Sequence, residues 1–154
     1  GALTHVIASS CHNKALVVSA DEHESGLRAL LNFGHTFGHA IETGLDYKGW
    51  LHGEAVACGM IMAADLSSRM GLIQEFDVER IRALLDRAHL PVKLPVSLRP
   101  EQLLDLMAVD KKARDGTVFL VLLQAIGRAF VTSHYDRESM QSTLNHFATC
   151  AEVS

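Results

Sequence analysis

The sequence is poor in the residues that break or staple a chain. Only 3 prolines occur in 154 residues, so little stops a helix once it has begun. Cysteine is equally scarce: Cys11, Cys58 and Cys150 make an odd number, with no C-x-x-C pair among them. That argues against a disulfide scaffold, a zinc knuckle and a redox motif, and the three read as reduced, partly buried thiols of a cytoplasmic protein. No Lys- or Arg-rich run exists to follow a phosphate backbone, and 14 basic against 18 acidic residues leave a formal charge of −4, which argues against nucleic acid as a partner. Asp, Glu or Arg interrupts every apolar stretch before the ~18 residues that a membrane span requires, and no basic region followed by an apolar one opens the chain. No G-x-G-x-x-G follows a strand-like run, so no Rossmann half is expected.

With 48% hydrophobic residues, the chain can close a core, and one domain over residues 1–154 is expected, mainly α with a small β-hairpin. Apolar periodicity and breakers predict six helices at roughly 2–19, 26–44, 53–70, 76–89, 100–109 and 136–150. Asp77 and Asp136 are placed to cap the fourth and sixth, and Gly71 to end the third. Thr117 to Leu123 and Arg128 to Thr132 are rich in β-branched and large apolar residues, and Gln124-Ala125-Ile126-Gly127 between them reads as the turn. Cys58, Met60 and Met62 read as core on the third helix.

The second helix carries the chemistry. Glu24, Arg28, Asn32, His35, His39 and Glu42 recur at steps of four, four, three, four and three. On an α-helix these fall within an arc roughly 80° wide. Leu27, Leu30, Leu31, Phe33, Phe37, Ala40 and Ile41 occupy most of the remainder, so the helix should be buried, with its ribbon facing a polar cleft. A solvated face is the competing reading, but the ribbon has no Lys and sets two imidazoles one turn apart. Gly34 and Gly38 each cost about 1 kcal/mol of helix propensity relative to Ala, which points to a neighbour packed closely against them.

Histidines at i and i+4 can share a metal ion, although ordinary histidines often have that spacing. His52 follows a short reversal through residues 44–50 and stands at the start of the third helix, where it serves either as a third ligand or as an ordinary helix-start residue.

These residues form recognisable blocks. Lys14, the run Asp21 to Arg28, LNFGHTFGHAIE from Leu31 to Glu42, LHGEAV from Leu51 to Val56, Asp110-Lys111-Lys112 and LLQAIG from Leu122 to Gly127 resemble the C-terminal domain of 3-dehydroquinate synthases. The resemblance covers essentially the whole chain in order and spacing. Glycerol-dehydrogenase-like enzymes are more distant relatives that share a metal-binding helical domain.

The resemblance implies a shikimate-pathway lyase of aromatic amino-acid biosynthesis. Such enzymes turn 3-deoxy-D-arabino-heptulosonate 7-phosphate into 3-dehydroquinate and phosphate, with NAD and a divalent metal, usually zinc, as cofactors. Carried to matching positions, it makes His35 and His52 metal ligands and gives Glu24 and His39 proton-transfer or water-positioning roles. Lys14, Arg28 and Asn32 would hold the substrate carboxylate, and Lys112, or its neighbour Lys111, the phosphate. Glu42, Glu54 and Trp50 match family blocks but are assigned only capping or packing.

The family's third metal ligand, a glutamate, and its NAD-binding domain lie N-terminal to anything in this sequence. The chain is therefore expected to be the C-terminal part of a two-domain enzyme, inactive alone and homodimeric when complete. Two alternatives stand beside it: another sugar phosphate cyclase, and a non-catalytic helical module that binds a metal or small anion.

Overall fold

Runs that lack Pro become helices; proline falls only in the connections or at a helix start, whereas glycine also lies inside helices, as Gly38, Gly53 and Gly59 do. The computed structural model describes residues 1–21, 26–109 and 117–149. It divides into two compact units, Gly1–Asn32 and Phe33–Ser154.

In the first unit, α1 runs from Ala2 to Ala20 and has no buried residue. A short 3-10 helix, Leu27–Asn32, follows. Its entry is fixed by Asp21, whose Oδ2 accepts the backbone N–H of Gly26 at 2.8 Å and of Arg28 at 3.0 Å. A buried carboxylate that takes two N–H groups offsets its own desolvation and caps the turn at once.

The second unit holds α2 (His35–Gly44), α3 (His52–Arg69), α4 (Glu75–Arg87), α5 (Pro100–Val109), β1 (Leu120–Ala125), β2 (Arg128–Thr132) and α6 (Arg137–Thr149). Its core centres on α3. Ile61, Met62 and Leu66 are fully buried with Phe37 and Ile41 of α2, Leu103 and Met107 of α5, Leu120 and Leu122 of β1, and Leu144 and Phe147 of α6.

The expected single helix over 26–44 is instead two pieces. Gly34 takes φ +81°, in the left-handed region, and separates the 3-10 helix from α2. The chain accepts this break because of packing: a Cβ on Gly34 would lie 2.6 Å from the backbone nitrogen of Met60 on α3. A 3-10 turn also advances about 120° per residue, so Arg28 and Asn32 do not stack as they would on an α-helix. The single 80° ribbon is therefore not formed. The tight neighbour expected at Gly34 and Gly38 is α3: a Cβ on Gly38 would meet the Cα of Val56 at 3.0 Å.

Smaller differences concern caps and the hairpin. Asp77 does cap α4, but from the third position of the helix, where it accepts the N–H of the N-cap residue Gln74 at 3.4 Å as part of a capping box. Asp136 does cap α6, accepting the N–H of Ser139 at 2.7 Å. Gly71 follows α3 at φ +72°, as a terminating glycine should. Strand β1 begins at Leu120 rather than Thr117 and continues through Gln124 and Ala125, so the turn is only Ile126-Gly127, with Gly127 at φ +89°. The antiparallel register pairs Leu120 with Thr132 and Leu122 with Phe130, then shifts between Leu123 and Ala125. That irregularity absorbs the residue that a strict alternation would have put in the loop.

Candidate metal centre

Two helices of the second unit bring the imidazoles together. His35 is the first residue of α2, His39 follows one turn later, and His52 is the first residue of α3. The reversal between the helices is tight: Tyr47 N–H reaches back to Glu42 O at 2.8 Å, and Asp46, Tyr47 and Gly49 all have positive φ. At the far side of the turn, Leu51 N–H donates to Glu54 Oε2 at 2.6 Å, which fixes the start of α3 and with it His52. Glu54 is thus the capping residue that its position suggested.

The ring centroids of His35 and His39 are 5.7 Å apart, those of His35 and His52 5.4 Å, and those of His39 and His52 5.9 Å. Three imidazoles at this spacing form one cluster, as expected of His52 if it joins the stripe histidines. His35 Nδ1 lies 3.4 Å from the carbonyl of Phe33, which can only accept, so the contact is a hydrogen bond in the Nδ1–H tautomer. His52 Nδ1 lies 3.0 Å from Glu42 Oε2.

The cluster extends beyond the histidines. Among the described residues, His39, Glu42 and His52 form a group whose donor atoms all lie within 4.8 Å of one another. Two imidazoles and a carboxylate, with a third imidazole beside them, are the donor chemistry of a zinc-type divalent cation, so these residues fit one. Sequence reasoning put Glu42 on the polar ribbon but assigned it only capping or packing. The available signal was its i, i+3 spacing from His39, which puts it on the same side of α2.

The other site candidates are distributed elsewhere. Lys14 is exposed on α1, and Arg28 and Asn32 are half-buried on the 3-10 helix, all within the unit that ends at Asn32. Glu24, Lys111 and Lys112 lie outside the described residues. Cys58, on α3 beneath the cluster's helix start, is no candidate ligand or nucleophile: burial raises its thiol to about 12, against a smaller lowering by the Arg82 charge. A cavity of about 490 Å³ between α3, α4 and α6 is lined by Asp65, Arg69, Glu79 and Arg82. These four pair with one another, Arg69 with Asp65 at 2.6 Å and Arg82 with Glu79 at 3.2 Å.

The sequence profile of the family described as 3-dehydroquinate synthase C-terminal matches residues 1–113. The chain belongs to that family. It is 56% identical over 144 residues to the 3-dehydroquinate synthase of Nitrosococcus oceani, covering 94% of this chain and 40% of that protein. It is 53% identical over 148 residues to the chloroplastic 3-dehydroquinate synthase of Arabidopsis thaliana, covering 96% of this chain and 34% of that one. The chain thus spans well under half the length of these relatives.

Solved structures agree with the fold. A 2-epi-5-epi-valiolone synthase from Streptomyces hygroscopicus, with NAD+ and Zn2+ bound, superposes with a TM-score of 0.81 at 26% identity, over 96% of this chain and 40% of that one. A 2-deoxy-scyllo-inosose synthase complexed with carbaglucose-6-phosphate, NAD+ and Co2+ gives 0.73 at 27% identity, over 87% and 38%. No described helix is long and apolar enough to cross a membrane.

Proposed function

We propose that residues 1–154 act as the metal- and substrate-binding domain of a 3-dehydroquinate synthase. The reaction is the NAD- and divalent-metal-dependent conversion of 3-deoxy-D-arabino-heptulosonate 7-phosphate to 3-dehydroquinate and phosphate, a carbon–oxygen lyase step of the shikimate pathway. The observation behind this reading is the convergence of three imidazoles, 5.4 to 5.9 Å apart, at the ends of α2 and α3.

His35 and His52 are the residues assigned to hold the metal. When bound, the metal would polarise a substrate hydroxyl and the ketone derived from it, while NAD would accept and return a hydride. His39, half-buried beside the two assigned ligands, is given a proton-transfer or water-positioning role, and Glu24 a second one. Arg28, Asn32 and Lys14 hold the substrate carboxylate, with the planar guanidinium offering a two-bond grip. Lys112, in preference to Lys111, takes the phosphate. NAD and the third metal ligand come from a preceding domain, and the complete enzyme is read as a cytoplasmic homodimer. Cys11 and Cys58, both free, are compatible with a reducing compartment.

Identity favours this substrate over that of another cyclase. The chain is 53% to 56% identical to 3-dehydroquinate synthases but 26% to 27% identical to the valiolone and inosose synthases. The test joins this chain in frame to the N-terminal part of the Nitrosococcus oceani enzyme and measures phosphate release. Release is expected with 3-deoxy-D-arabino-heptulosonate 7-phosphate and not with a hexose 6-phosphate; the reverse preference overturns the assignment. The 154-residue chain alone, given NAD, zinc and substrate, should release none.

A further inference from the structure

Resting on the metal reading above, the geometry points to Glu42 as the residue that orients His52: its carboxylate accepts the Nδ1–H of His52, fixing the tautomer that leaves Nε2 bare for a metal ion. Glu42 is thus a positioning residue, acting through His52.

The two partners are unequally held. The Glu42 side chain is 12% exposed on a helix whose Phe37 and Ile41 are buried in the core, whereas the His52 side chain is 57% exposed at the first position of α3. An exposed imidazole at a helix start has little packing to choose its rotamer or its protonated nitrogen. The 3.0 Å contact supplies both choices. An ionised carboxylate only accepts, so the neutral imidazole must place its hydrogen on Nδ1 and its lone pair on Nε2.

The same arrangement recurs at the other assigned ligand. In the same Nδ1–H tautomer, His35 would direct its proton to the carbonyl of Phe33 at 3.4 Å. Two ligands with the same tautomer, each fixed from behind by an oxygen, form the outer-shell pattern that metal-binding histidines require for orientation and basicity. A carboxylate also strengthens the donor more than a carbonyl does, because partial proton sharing places negative charge on the ring. Direct ligation by Glu42 is the competing geometry, since its oxygen lies within 4.8 Å of donor atoms of both His39 and His52. It would remove the acceptor now facing Nδ1.

Two readouts on the 154-residue chain decide between them. Long-range ¹H–¹⁵N spectra of the metal-free protein, with His52 assigned by His52→Gln, report the tautomer directly. The wild type should show Nδ1–H. Glu42→Ala should shift His52 towards the Nε2–H form that unconstrained histidine prefers in water, and zinc titration calorimetry should show affinity about 10- to 100-fold weaker. Glu42→Gln, whose amide oxygen still accepts, should keep the tautomer and lose less affinity. Should Glu42→Ala fail to fold, the wild-type tautomer and Glu42→Gln carry the test alone.

An unchanged His52 tautomer and zinc affinity in Glu42→Ala overturns the proposal. So does an Nε2–H wild type whose affinity still falls in Glu42→Ala, because Glu42 would then be a ligand itself. Failure of the underlying metal reading has a different signature: zinc binding by a His35→Ala/His52→Ala double variant equal to that of the wild type, whatever the tautomer.

Discussion

Gly59 on α3 faces the backbone of Gly34, and a Cβ on Gly59 would overlap the Gly34 carbonyl oxygen. The same Cβ would lie 2.8 Å from the Gly38 backbone nitrogen. Helices α2 and α3 therefore touch main chain to main chain, and no flexible side chain can move aside. Gly59→Ala must separate them, at an expected cost of about 3 kcal/mol. The histidines ride on the same two helices, so zinc affinity should fall with stability. Thermal melting and zinc calorimetry on this variant check both; a melting temperature within 1 °C of wild type would show that the helices are not in this close contact.

Ser67 joins α3 to the hairpin. Its hydroxyl is fully buried, donates to the carbonyl of Ala63 at 2.6 Å and accepts the N–H of Leu123 at 3.0 Å. Ser67→Ala leaves the Leu123 N–H without that partner beside the register shift in β1, an expected loss of about 1–3 kcal/mol. Urea denaturation should show a lower midpoint with an unchanged slope. Ser67→Thr keeps the hydroxyl but adds a methyl to a filled core, so it should also destabilise, by overpacking.

Most of the fold was legible because the apolar period and the breakers agree along α3, α4, α5 and α6. The stretch 26–44 was misread for a tertiary reason. Its local pattern is helical, but Gly34 turns left-handed where Met60 presses on it, and no residue within the stretch reports what Met60 does. The histidine cluster was legible from the NFGHTFGHAIE and LHGEAV blocks and from the short reversal between them. Glu42 was not, since a glutamate near a helix end is more often a solvated or capping group, and only its 3.0 Å approach to His52 distinguishes it. For Lys14, Arg28 and Asn32, the sequence offered types and spacing and left their spatial relation to the imidazoles to be tested.

Asp136 ties acid stability to the last helix. Its carboxyl is held below the ordinary 3.8, first by the backbone N–H of Ser139 and then by the Ser139 side chain, against an opposing desolvation, with the backbone of Glu138 adding least. A lowered folded value means that the stabilisation is complete above the unfolded value and fades as pH falls through the lowered one. Asp136→Ala should reduce the melting temperature by about 2–4 °C at pH 7, and the difference from wild type should narrow as pH is taken below 3.8. Asp136→Asn, which caps without ionising, should remain near wild type at pH 7. A difference that stays constant into acid would show that the carboxylate charge plays no part.

Arg28 is the residue at which the broken helix matters most. It lies half-buried on the 3-10 helix, with its backbone N–H tied to Asp21 at 3.0 Å. If its guanidinium holds the substrate carboxylate by two parallel hydrogen bonds, Arg28→Lys keeps the charge and loses the fork. In the full-length enzyme kcat/KM should then fall on the order of tenfold or more. Zinc affinity should be unchanged, because the substitution leaves the imidazoles in place and keeps the positive charge at position 28. The Asp21 cap engages the backbone of residue 28 and survives the substitution, so that part of the fold should hold. A structural arginine gives a different outcome: kinetics near wild type and a stability change within about 0.5 kcal/mol. Measuring kcat/KM, zinc affinity and melting temperature on this one variant separates carboxylate recognition from a helix-surface role, and unchanged kinetics would remove Arg28 from the site.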